Sequence, residues 1–208
     1  MSAPSRVRFR GRRATHGYTA VEVLLAMTVL IISTAGVMSM QKASIQGNLD
    51  ARKLDVANAI ARTWLDRLAA DATTWNSAAP IKAQTLVLST LAPATVSQGT
   101  FQVSPLSVSS MNWSPAFDIL GRDVATLSDP SIVFCTHVKV DTMAVDPATS
   151  APTILRATVM VFWATSLAGG PAPATSLCSA TGPADVAKDS TVGTYHTIFA
   201  TEALRRAS

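Results

Sequence analysis

One carboxylate stands where carboxylates are rare. Glu22 opens an apolar run and is followed by nineteen uncharged residues, Val23 to Gln41. A carboxylate in a membrane helix costs on the order of 2.5–3.5 kcal/mol at the helix centre and less near an end, so Glu22 calls for a cationic partner. Cys135 and Cys178 are the whole cysteine complement and suit one disulfide if they reach an oxidising compartment. Cys135 and His137 share a strand face at i,i+2, and with His196 they could begin a metal site, but no second close ligand pair accompanies them. His137, Asp141 and one of many serines can be written as a hydrolase triad, a coincidence that carries no information in a serine-rich chain. The sequence holds no G-x-S-x-G, H-E-x-x-H, P-loop or dinucleotide fingerprint, so neither catalysis nor a cofactor is expected.

The elements that must position these groups begin with charge. Arg6, Arg8, Arg10, Arg12 and Arg13 precede the apolar run without a single acid, and removing them turns a net charge of +4 into −1. The pI of about 9.4 therefore belongs to the leader. Nucleic-acid binding by this tail is disfavoured, because Phe9 is its one aromatic and a membrane-type segment follows at once. About twenty apolar residues span a bilayer as a helix. The arginines before them place the N-terminus in the cytoplasm and everything after Met40 outside. A cleavable secretory signal ending at Ser33-Thr34-Ala35, or a twin-arginine signal at Arg12-Arg13, would carry Glu22 inside its apolar region, which neither pathway favours. A plain signal anchor leaves the glutamate incidental.

No proline occurs between Pro4 and Pro80, and Ile45, Leu49, Val56, Ile60, Trp64 and Leu68 recur at steps of four and seven. That spacing predicts one helical stripe, with Arg62–Asp66 and Arg67–Asp71 at i,i+4. A helix over residues 18–72 would be roughly 80 Å long. Beyond Trp75 the composition turns to Ala, Ser, Thr, Pro and Val, with 15 charges in residues 73–208. Strands are expected at Gln84–Leu91, Thr100–Val108, Ile132–Val140, Ile154–Trp163 and Thr191–Thr201. The linkers Val145–Pro152 and Ala168–Pro183 should be exposed loops. The four tryptophans read as core or stalk contacts, with Trp75 and Trp113 placed near loops where exposure is possible. An antiparallel sheet packed on the outer half of the helix is the economical arrangement.

Gly17-Tyr18-Thr19-Ala20-Val21-Glu22-Val23-Leu24-Leu25-Ala26 resembles the processing motif of type IV prepilins and type II secretion pseudopilins. The resemblance implies cleavage after Gly17, N-methylation of Tyr18 and an assembly role for Glu22. Cleavage would create an α-amino group, charged below a pKa of roughly 8. In a packed filament Glu22 of one subunit can then face the N-terminal ammonium of a neighbour, each offsetting the desolvation of the other.

Two later segments, Ala57-Asn58-Ala59-Ile60-Ala61-Arg62-Thr63-Trp64-Leu65-Asp66-Arg67-Leu68 and Leu155-Arg156-Ala157-Thr158-Val159-Met160-Val161-Phe162-Trp163, look like the stalk and near-C-terminal strand of V-type minor pilins. The implied protein is a non-enzymatic minor pilin of α+β fold. It has a cytoplasmic leader (1–17), a transmembrane and filament-core helix (18–41), an amphipathic continuation (42–72) and a β-rich periplasmic domain (73–208). The implied partners are a prepilin peptidase, other major and minor pilins, the inner-membrane assembly platform, membrane lipid before assembly, and a surface adhesin; no metal is expected, and no nucleic-acid partner is established by the sequence. The location is the bacterial inner membrane and then the cell-surface pilus. A type II secretion pseudopilin, or an anchored periplasmic binding module outside any filament, remains the alternative.

Overall fold

The structure is a computed structural model and describes residues 18–76, 84–91, 101–103, 114–164, 178 and 195–206. It is α+β: a long helix α1 (Ala20–Ala72), a short helix α2 (Leu88–Leu91) and strands β1 (Gln102–Val103), β2 (Ala116–Phe117), β3 (Phe134–Val145), β4 (Pro152–Ala164) and β5 (Tyr195–Arg205). The chain forms two compact units, Met1–Leu49 and Asp50–Ser208.

In the second unit the sheet is antiparallel, in the order β1-β3-β4-β5, with β2 also paired to β3. Strand alternation decides which side chains face α1. Phe134, Val138 and Val140 of β3 share that face with Leu155, Ala157, Val159, Val161 and Trp163 of β4 and Leu204 of β5. They pack on Ala57, Ile60, Ala61, Trp64, Leu65 and Leu68, which recur every three to four residues along α1. The expected stripe is thus buried over Ile60, Trp64 and Leu68, with Val56 half-buried. Its first two members differ: Ile45 and Leu49 are 61% and 54% exposed. Trp75 is fully inside the core, with Val87 and Leu88.

Gln84–Leu91 is not a strand. Residues 84–87 form a turn leading into α2, and the cause lies in α1. The buried Asp71 carboxylate accepts hydrogen bonds from the amides of Leu86, Val87 and Leu88, each at 2.8 Å. Three successive amides converging on one carboxylate cannot alternate across a sheet ladder. The expected Arg67–Asp71 pair is therefore replaced by two tertiary contacts. Arg67 makes a bidentate pair with Asp123 (3.0 and 2.6 Å), its guanidinium 5.3 Å from the centre of the Trp64 ring. Asp71→Ala would strip two buried amides, those of Val87 and Leu88, of their acceptor. The expected cost is about 3 kcal/mol, and Asp71→Asn, which keeps one acceptor oxygen, should lose less. Denaturant titration of the detergent-solubilised chain, followed by tryptophan fluorescence, reads both.

β3 and β4 begin within two residues of expectation, but β3 continues to Val145 and β4 starts at Pro152. The linker between them is a tight turn. The Asp146 carboxylate accepts the Ala148 amide (2.9 Å), and the Ser150 amide donates to the Asp146 carbonyl (2.8 Å), with Ser150 at φ 55°. Of Thr100–Val108 only Gln102–Val103 is seen as strand, and 104–108 lies outside the described residues. Likewise 191–194 precedes the described β5, which runs on to Arg205. Trp113 and most of Ala168–Pro183 also lie outside the described residues; Cys178 is described and buried.

The turn after β2 docks on α1. Burial pushes the Asp118 carboxyl up, but hydrogen bonds from the amide and guanidinium of Arg122 and the amide of Leu120 outweigh it and hold the pKa below its ordinary 3.8. A depressed carboxylate pKa stabilises the folded state at neutral pH, and that contribution disappears as pH falls below about 4. Gly121 completes the turn at φ 76°, where an added Cβ would lie 3.1 Å from Val56 Cγ1. Gly121→Ala should cost about 1–3 kcal/mol from backbone conformation and crowding together. Adding Val56→Ala should recover the steric part alone, a comparison read from melting temperatures of the two variants.

Candidate functional site

The first turn of α1 holds the candidate site. Gly17 lies outside the described residues, and Tyr18 is exposed just before the helix. Thr19 is the N-cap: its Oγ1 accepts the amide of Glu22 at 3.3 Å. Thr19-Ala20-Val21-Glu22 is thus a capping-box sequence with Glu22 at N3, where a carboxylate also meets the positive end of the helix dipole. The S/T-x-x-E spacing of Thr19 and Glu22 is the sequence signal for that cap.

Around Glu22 the surface is apolar and uncovered. Val21, Leu24, Leu25, Val29, Leu30, Ile31 and Ile32 are all exposed, and no ion pair reaches Glu22 among the described residues. The hydroxyls along this segment are satisfied within it. Those of Thr28, Ser33, Thr34 and Ser39 donate to the carbonyls of Leu25, Val29, Ile31 and Gly36 at 2.7–2.9 Å. With its backbone and these hydroxyl groups internally bonded, the segment beyond Glu22 asks nothing polar of its surroundings. The helix is long and apolar enough to cross a membrane.

The second feature is the cysteine pair. Cys135 of β3 and Cys178 are joined as a disulfide with Cα atoms 5.3 Å apart, both fully buried. They sit on the sheet face away from α1, in a small core with Ala116, Val124, Ile132, Met160 and Phe162. His137 shares that face and is buried against Phe162, ring centres 4.9 Å apart. Pairing registers place His196 on the opposite face, across from Trp163, so Cys135, His137 and His196 do not converge. Asp141 lies four strand residues from His137, about 13 Å along β3, and pairs with Arg156 (2.9 Å) and Lys139 (3.4 Å). The written triad is not assembled. Among the described residues no three His, Cys, Asp or Glu side chains are grouped to hold a metal ion.

In comparison with known proteins, no family model matches this sequence, and no curated protein or solved structure does.

Proposed function

We propose that this chain is a minor subunit of a type IV pilus, made as a prepilin, cleaved after Gly17 and N-methylated at Tyr18. The observation that carries the reading is the lone Glu22 carboxylate on an uncovered apolar helix, five residues beyond Gly17. A catalyst would need other polar groups converging on it; an assembly contact needs only the ammonium of a neighbouring subunit. The unbroken course of α1 through Ser33-Thr34-Ala35 supports a retained helix over a signal peptide removed at that point. In this reading the arginine leader stays in the cytoplasm and the β-rich unit is exported. The helix waits in lipid until the assembly platform passes it to other pilins.

Mass spectrometry of the mature N-terminus tests the reading. A chain beginning at N-methyl-Tyr18 is expected; an intact leader, or a start at Gly36, would remove the pilin assignment. Recovery of the processed chain in sheared filaments then separates a filament subunit from an anchored binding module.

A further inference from the structure

Among the described residues strand β5 is a sheet edge. It closes the order β1-β3-β4-β5 with β4 as its one neighbour among the described residues. Its eleven paired positions run without a bulge, and neither Pro nor Lys occurs from Tyr195 to Arg205. Sheet edges are commonly blunted by those very devices, because an unblunted edge is a template for another strand. Ile198, Ala200 and Leu204 turn toward the α1 core, while Phe199 lies on the other face, 59% exposed, its ring centre 6.0 Å from that of Phe101.

We propose that β5 pairs antiparallel with β5 of a second copy of this chain, on a two-fold axis through Phe199. Such an axis places residue 199+k opposite residue 199−k, and residues directly opposite share one sheet face. Phe199 then meets Phe199, Ile198 meets Ala200, Thr197 meets Thr201, and His196 meets Glu202. These four central pairs match aromatic with aromatic, aliphatic with aliphatic, hydroxyl with hydroxyl and base with acid, and pairs of these kinds stabilise antiparallel ladders; the outermost pair, Tyr195 with Ala203, adds no such match. Centring on Ile198 sets His196 against Ala200 and Thr197 against Phe199. Centring on Ala200 sets Ile198 against Glu202 and His196 against Leu204. The sequence around Phe199 is complementary to itself in one register, and His196 and Glu202 are both exposed to meet as base and acid. The pairing does not depend on the filament reading.

Cysteine pairs on the full chain in native membranes test the register. Thr197→Cys in one copy and Thr201→Cys in a co-expressed, differently tagged copy would stand opposite each other, with Cα atoms about 4.5–5.5 Å apart, within disulfide reach. Either variant alone separates its two cysteines by four residues of register, about 13 Å. Mild oxidation should therefore yield the mixed dimer at least about fivefold over either variant alone. Equal yields in all three, no mixed dimer, or a cross-link to a different protein would overturn the proposal. Adding His196→Glu to both copies should reduce the dimer by setting glutamates against Glu202, and adding Glu202→Lys as well should restore it. A reduction that Glu202→Lys does not reverse would also overturn it, because the complementarity of that pair selects this register.

Discussion

Replacing both Cys135 and Cys178 with alanine is expected to remove about 4 kcal/mol of folding stability from the β-rich unit. The bond spans a sequence separation of 43 residues, and the chain-entropy relation assigns a loop of that size about 4 kcal/mol at 25 °C. Alanine is the substitution to use, since serine would bury two hydroxyls where both sulfurs are buried. Set against a usual total of about 5–15 kcal/mol for a domain, the loss is a large fraction. Urea titration of wild type and double variant under non-reducing conditions reads it, while peptide mapping with an alkylating trap shows whether the wild type carries the bond. A difference below about 1 kcal/mol would mean that the loop closure contributes little here. Two free thiols in the wild type would remove the disulfide from the folded protein.

Glu22→Ala is expected to spare insertion and processing but to deplete the chain from filaments. The helix start survives, because the amide of residue 22, and not its side chain, donates to Thr19 Oγ1. The segment after it keeps its apolar surface and can only enter lipid more readily. Cleavage should continue at the Gly17–Tyr18 bond several residues away. The new ammonium, however, loses its counter-charge: two unit charges near 4 Å attract by roughly 4 kcal/mol at an effective dielectric of 20, against about 1 in water. Desolvation takes back part of that, and each net 1.4 kcal/mol is a factor of ten. We therefore expect the ratio of this chain in sheared filaments to that in membranes to fall by about tenfold or more. Equal ratios would leave Glu22 without an assembly role and take away the main physical support for the proposed function.

Regular alternation made the centre of the fold readable. Leu155, Ala157, Val159, Val161 and Trp163 alternate with Arg156, Thr158, Met160 and Phe162, and all five are buried against α1. The α1 stripe was equally plain from Ile60 to Leu68. Other segments turned on partners distant in the chain. Leu86, Val87 and Leu88 look strand-like until the Asp71 carboxylate, fifteen to seventeen residues earlier, gathers their amides. β2 has two residues, too few for any period, and exists because β3 offers Phe134 and Cys135 as pairing partners. β5 extends past Thr201 through Glu202 and Ala203, poor strand formers, because β4 continues beside it to Ile154. Of the candidate site, Glu22 was conspicuous because a carboxylate in an apolar run conflicts with its surroundings. Thr19 was less so, since a hydroxyl there looks ordinary until the helix is known to begin at Ala20.

The placement of Cys178 changes what a cut in the backbone would do. β4 ends at Ala164 and β5 begins at Tyr195, so the crossing between these neighbours carries Cys178 within it, fastened to β3. A single protease nick between 165 and 177 would sever the peptide chain yet leave everything from Cys178 onward, β5 included, covalently held to the rest. A nick between 179 and 194 would leave β5 with no covalent tie to the rest, held by non-covalent contacts such as its ladder to β4, the burial of Leu204 and the packing of Ile198, Ala200 and Phe199. The bond thus makes the two halves of one crossing unequal, the first forgiving of damage and the second not.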